Sequence, residues 1–290
     1  MRALIVLSTG VLLVFSAACA HSPKHSDALE GAQDGAAIEI FPQWHLSSQV
    51  DTKSKSETAP QAKNQNFIYR SLDKEIALEK IKSVIVEGCE GEIQTGFPLR
   101  FNGWTLADLE NLLKSDAAKF DDLLTQVGLK IEAKYGEKVD VLCGDDLKLI
   151  QRHQLILSDL RGYAGFRYRL DQFKNDPKRR DAYLKNIASV LFPAGNSAPP
   201  LTYETGRNAL NSRMKERIAE FKTVLAERNA VFVKRLKFAE KPAAIVIGAL
   251  HVADLKRQLD SGGLSNRVRE VEGLPGDEAG LIQSFEKLLD

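Results

Sequence analysis

Two histidines and a glutamate each stand just after a short apolar run that reads as a buried strand. His251 follows Ala244-Ile245-Val246-Ile247 and lies three residues beyond Gly248. His45 follows Ile38-Glu39-Ile40-Phe41 across Pro42-Gln43-Trp44, and Glu87 closes Val84-Ile85-Val86. An imidazole in such a place is a metal ligand, a general base near neutral pH, or a structural histidine held at a loop. A carboxylate at the end of a buried apolar run is costly unless paired. Glu87 therefore completes a mixed nitrogen–oxygen metal site, accepts a proton from a water held by the histidines, caps the next helix, or pairs with an arginine. In open α/β sheets chemistry collects at the carboxyl ends of the strands. The expectation is that these three strand ends converge on one site.

The elements that must position them follow from periodicity. A strand over 37–41 and a strand over 83–86 enclose a helix over 65–80 with Phe67, Ile68, Leu72 and Ile76 on its buried face. Strand, helix, strand predicts a right-handed βαβ unit with parallel strands, which puts His45 and Glu87 at one edge. The intervening polar stretch 46–63 reads as a mobile lid or a disordered loop. Thr105 to Asp108 has capping-box spacing, 121–135 continues in helical period, and 139–142 is a third strand ending in Cys143-Gly144-Asp145-Asp146. Helical stretches over 147–173 and 179–191 are separated by Asn175-Asp176-Pro177. A loop spans 192–200, and a helical pattern then runs over 203–237. At 1.5 Å per residue the last is about 50 Å long, so a kink or break is expected in it. The strand before Gly248, a strand near 267–271 and a helix over 278–289 end the chain. The predicted class is α/β, a mostly parallel central sheet flanked by helices, with a helical insertion about 147–236 between the third and fourth predicted strands.

Cys89 and Cys143 each follow a predicted strand end. They are either joined in a disulfide, as suits an exported protein, or kept as buried thiols. Neither has a second cysteine near it in sequence, which disfavours metal ligation by sulfur. His21 and His25 fall in a polar stretch and read as solvated linker residues; His153 lies in the folded part without a strand before it. Gln43, Arg161 and Tyr163 are weaker candidates, lining a pocket or simply covering a helix face.

Lysine plus arginine number 40 against 39 aspartate plus glutamate, a net charge of +1. No global field for nucleic acid is implied. At the N-terminus, Arg2 precedes an apolar run over 3–15 that is too short to span a bilayer. Ser16-Ala17-Ala18 and Cys19 follow. The pattern looks like a bacterial lipoprotein signal: 1–18 a signal peptide, Cys19 the acylated first residue, 19–35 a flexible tether, 36–290 a single domain. Plain cleavage near Ala18 is the alternative. With Ala20 next, a lipidated chain is expected at the outer membrane, attached through Cys19.

Three stretches together resemble the TraB/GumN/TIKI family, in the clan with the erythromycin-esterase and ChaN-like proteins. Glu227-Arg228-Asn229, on its own an ordinary solvated helix face, resembles the family's "ERN" helix. Gly248-Ala249-Leu250-His251 resembles its second G-x-x-H motif, and Val84-Ile85-Val86-Glu87 the strand that carries its glutamate. The first G-x-x-H keeps its spacing to His45, with Pro42 where the family has glycine. The resemblance implies an α/β sheet with helices on both sides and a hydrolase, a metal-dependent peptidase or an esterase acting on a peptide or small-molecule substrate. His45, Glu87 and His251 would hold a divalent metal (Mn, Co or Zn) or a water. Arg228 would stabilise an anion or orient a carboxylate. A haem- or iron-binding lipoprotein of the ChaN-like type, or a non-catalytic scaffold, is the alternative.

Overall fold

In a strand covered on both faces, apolar side chains alternate between two helical layers, and here the alternation assigns each layer. Val84, Val86, Ala244 and Val246 point to one side of the sheet; Ile85, Ala243, Ile245 and Ile247 point to the other. Full burial of an isoleucine or valine contributes about 1.5–3 kcal/mol. A slip of one residue would exchange the two sets and place Glu87 on the wrong face.

The structure is a computed structural model that describes residues 37–44, 60–91, 93, 104–192, 200–274 and 280–289. All of these belong to one compact unit, Gly35–Asp290. Among them the sheet has five parallel strands: β1 Ile38–Gln43, β2 Ser83–Val86, β3 Asp140–Cys143, β4 Ala243–Gly248 and β5 Asn266–Val268. Their order is β3-β2-β4-β1-β5. The late strand β4 thus lies between β1 and β2, with Ile40 and Ile85 both opposite Ile245. The α/β class with helices on both faces is as the sequence predicts.

The helices are α1 Pro60–Ala77, α2 Leu106–Ser115, α3 Ala117–Asp122, α4 Val127–Tyr135, α5 Leu147–Gln172, α6 Pro177–Leu191, α7 Tyr203–Phe238, α8 Ala249–Ser261 and α9 Gly280–Lys287. On one face Ile68 and Leu72 of α1 and Ile131 of α4 meet Val84 and Val246. On the other, Phe232 and Leu236 of α7 and Leu255 of α8 meet Ile85 and Ile245. Between β3 and β4 the insertion packs α5 on α7 through Ile156, Leu160, Met214 and Phe221, with α6 against their far ends. No helix among the described residues is long and apolar enough to cross a membrane.

Four departures from expectation have physical causes. α7 runs 36 residues, about 54 Å, without the expected break. It contains no proline, and its buried stripe changes partner from α5 to the sheet without interruption. The helical period over 121–135 divides into α3 and α4, because the buried Lys130 amine donates to Asp121 O (2.9 Å) and Leu123 O (3.0 Å). A continuous helix would have used the Asp121 carbonyl itself. α1 starts at Pro60, inside the stretch expected to be loop, since proline suits the first helical position. β1 runs on through Pro42. The even residues of β1 bond toward β5: Ile38 N–H donates to Ser265 O and Ile40 O accepts from Arg269 N–H, whereas Ala37 O accepts from Ala243 of β4. Pro42 therefore faces the β5 side, past the end of that short strand, and its missing N–H removes no ladder bond.

Lys130, 1 % exposed, sits 3.7 Å from the Tyr69 ring centroid. Burial pulls its pKa down from 10.5 to about 8, against the opposing pull of Asp121. From pH 8 to 10.5 the unfolded chain holds a proton that the folded protein has released, so stability rises with pH. Burial and a hydrogen bond to Asp121 push Tyr69 up, and burial with Asp73 pushes Tyr135 up to about 12. Above pH 10 the folded state therefore retains protons and stability falls. Urea unfolding at stepwise pH is expected to show a maximum near pH 10, gaining up to about 3 kcal/mol from pH 7. Lys130→Met should flatten the rise; an unchanged profile in that variant would refute the assignment.

Candidate active site

The carboxyl ends of the central strands lie level. Val86 is opposite both Val246 and Cys143, and Gln43 is opposite Gly248. Glu87 is the next residue after β2, and its odd position turns it to the Ile85 side, toward α7 and α8. Its Oε2 accepts the Gly248 N–H (2.5 Å), at the start of α8 where the helix presents unpaired N–H groups and positive dipole. Its Oε1 accepts from Arg228 Nη2 (2.7 Å) and lies 3.3 Å from His251 Nε2.

Arg228 is delivered from α7 and is 4 % exposed. Its Nε donates to Asp145 Oδ1 (3.0 Å), its Nη2 to Asp145 Oδ2 as well as to Glu87, and its Nη1 to His153 Nδ1 (3.0 Å). All three guanidinium nitrogens are thus engaged inside the protein. Burial opposes the charge, but Glu87 and Asp145 outweigh it and raise the guanidinium pKa. Of the two roles the resemblance implies for Arg228, this geometry matches the orienting of a carboxylate.

Asp145 is held from its own side. Gly88 N–H donates to its Oδ2 (3.2 Å) and the Asp145 N–H donates to Cys89 O (3.1 Å). A disulfide joins Cys89 to Cys143, Cα to Cα 5.1 Å, and ties the turn after β2 to the end of β3. Gly88 itself has φ +89°, a conformation that glycine adopts freely. Between Cys143 and Asp145, Gly144 lets α7 approach: a Cβ there would come within 2.5 Å of Ile85 Cγ2 and 2.8 Å of Phe232 Cδ1. Gly144→Ala is expected to lower stability by about 1–3 kcal/mol, as overpacking does. A melting temperature equal to the parent's would show that α7 is not seated there as described.

His251 lies on the first turn of α8, 2 % exposed. Its Nδ1 is 2.7 Å from Asn229 Oδ1, and its ring meets Phe232 edge-on at 5.6 Å. The His153 ring lies at 21° to it, 6.4 Å away, and meets Phe221 edge-on at 4.6 Å. Arg228 and Asn229 are neighbours on one helix and point about 100° apart, so one serves Glu87 and Asp145 while the other serves His251. Glu227 turns outward and pairs with Arg152 at 3.3 Å, both partly exposed.

The structure brings Glu87, Arg228 and His251 together. His45 and Cys19 lie outside the described residues, as do most of the stretch 46–63 and the linker histidines. The chain reaches His45 along a fixed exit: Asn64 Oδ1 accepts the Trp44 N–H (2.7 Å), and Gln65 Nε2 donates to Trp44 O (2.8 Å) and Gln43 Oε1 (3.4 Å). Gln43 is buried there on the α1 side; Tyr163 packs among the insertion helices. Sequence reasoning gave no role to Asp145, His153 or Asn229, the last quoted only within the Glu227-Arg228-Asn229 stretch. Asp145 had a signal close to that of Glu87, an acid two residues after a strand end. His153 and Asn229 sit on helices, where nothing local marks them.

Among the described residues no group of three or more His, Cys, Asp or Glu is arranged to hold a metal ion. Both Glu87 oxygens accept protein hydrogen bonds and Arg228 supplies the cation beside them. These donors compose an ion-pair network. What the arrangement offers chemically is a buried carboxyl group, oriented by arginine, next to an imidazole whose ring is fixed by an amide. No protein-family model, curated protein or solved structure matches the chain.

Proposed function

We propose that the protein is an exported hydrolase of the TraB/GumN/TIKI type, anchored to the outer membrane by a lipid on Cys19, with a peptide or small-molecule ester or amide as substrate. The observation that carries the reading is the Glu87–His251 contact at a strand-end edge, with Arg228 and Gly248 N–H fixing the carboxylate. Strand ends at the point where β4 separates β1 from β2 are where α/β sheets place ligands. The Cys89–Cys143 disulfide supports an oxidising compartment and hence export.

In the reaction the Glu87–His251 pair takes a proton from water as its oxygen bonds to the carbonyl carbon. It then returns that proton to the leaving oxygen or nitrogen as the carbon–heteroatom bond breaks. Arg228 keeps Glu87 oriented throughout. A metal-dependent route would need His45, Glu87 and His251 as donors together, and no step here is routed through one.

The test uses the purified mature protein, a panel of p-nitrophenyl esters and a panel of fluorogenic peptides, each with and without added Mn, Co or Zn, beside elemental analysis. Hydrolysis of one bond class by the metal-free protein is the expected result. No turnover in either panel under any condition would overturn the hydrolase, and stoichiometric bound metal would replace the metal-free step.

A further inference from the structure

We infer that Asn229 and Asp254 are positioning residues that hold neutral His251 in the tautomer with its proton on Nδ1, leaving Nε2 as the nitrogen that exchanges protons. The inference deepens the hydrolase reading and, for its consequence on rate, rests on it.

The argument starts at Asp254, one turn beyond His251 on α8. Its carboxylate only accepts hydrogen bonds. Asn229 Nδ2 is 2.7 Å from Asp254 Oδ2 and 3.3 Å from the His251 carbonyl oxygen, a second acceptor. Two acceptors on that side require the amide NH2 to face them; a flipped amide would set its oxygen against both and leave a buried contact without a donor. With NH2 so committed, Asn229 Oδ1 must be the atom facing His251 Nδ1 at 2.7 Å, and it can only accept. Nδ1 therefore carries hydrogen. In the neutral ring the Nε2 lone pair then points to the Glu87 side, 3.3 Å from Oε1.

Asp254 is itself secured. Arg257 and Gln258 Nε2 (2.7 Å) donate to it, and Gln258 also donates to Ala226 O, one turn before Asn229. Burial works against its charge, yet hydrogen bonds from Asn229, Arg257 and Gln258 hold its pKa below the ordinary carboxylate value. Asn229 is fully buried. Donation therefore runs one way from His251 through Asn229 to Asp254, its direction set at the far end by a residue that touches no reacting atom.

Nitrogen-15 spectra of His251 in the intact mature protein, assigned by comparison with His251→Gln, read the tautomer directly. At a pH where the ring is neutral, Nδ1 is expected to carry the proton and Nε2 to show the shift of an unprotonated nitrogen. Asp254→Asn supplies a donor where only an acceptor stood, so Asn229 is free to turn; the spectrum should move toward the Nε2-protonated form. kcat should then fall about 10–100-fold, the scale typical of groups that orient an imidazole, with KM unchanged. Arg257→Ala, which leaves Asn229 and Gln258 on Asp254, should change neither. An Nε2-protonated ring in the parent protein overturns the inference whatever the turnover, as does Asp254→Asn with parental tautomer and kcat. Absence of hydrolysis with an Nδ1-protonated ring overturns the hydrolase reading alone.

Discussion

His251→Ala is expected to lower kcat/KM on the ester or peptide that the parent hydrolyses by about 10²–10⁴-fold, the usual contribution of a positioned acid–base group. Far-UV circular dichroism should not change, because the α8 backbone does not depend on the ring. The substitution does leave Asn229 Oδ1 without the ring N–H that it accepts. That loss costs about 1–3 kcal/mol when buried. His251→Gln separates that structural cost from the chemical one: an amide still reaches into the same space but does not cycle a proton. Both variants should lose turnover at a temperature where both remain folded. Either variant with near-parental kcat would remove His251 from the chemistry.

The second large effect belongs to Arg228. Glu87 and Asp145 are both buried, and the guanidinium between them is the charge that makes their burial tolerable. Coulomb attraction in a buried ion pair roughly offsets the desolvation of its members, so the network adds little net stability. Removing one member is different, since it leaves charge buried and unmatched. Arg228→Ala is expected to lower the unfolding free energy by about 3–5 kcal/mol, read by urea denaturation. Arg228→Lys keeps the charge but cannot reach Asp145, Glu87 and His153 together as a planar fork does, and should fall between the two. The triple variant Arg228→Met, Glu87→Gln, Asp145→Asn removes the charges together and should recover most of the loss. A loss below about 1 kcal/mol for Arg228→Ala would mean that the two carboxylates are not ionised in the folded protein.

The fold was largely legible because its signals are local. Apolar runs of four to six residues at 38–43, 83–86 and 243–248 are bounded by glycine, proline or charge, and parallel pairing follows from the helix between the first two. The site was legible to the extent that its residues follow strands. Glu87 and His251 announce themselves by the run that precedes them, and Asp145, two residues past β3, carries a similar mark. Helix residues carry no such mark. Arg228, Asn229 and His153 read as any polar helix face, and only the resemblance singled out Arg228. Their inward aim depends on how α5 and α7 sit over the strand ends, which Gly144 and Phe232 decide through tertiary packing. The extent of α7 was legible at 203–237; the break expected in it from length alone is absent, and the stretch contains no proline to cause one.

The position of β4 in the sheet has a consequence for how the chain comes to be folded. β1 and β2 are not neighbours; each is paired with β4, whose residues follow both of them at a long distance in the chain. Until residue 248 has left the ribosome, β1 has no partner of its own and the face built from Ile38, Ile40 and Ile85 has no centre. Contacts between residues this distant in sequence close slowly, after a large loss of chain entropy. The nascent chain is thus kept from completing its core until β4 has emerged and reached back to both earlier strands.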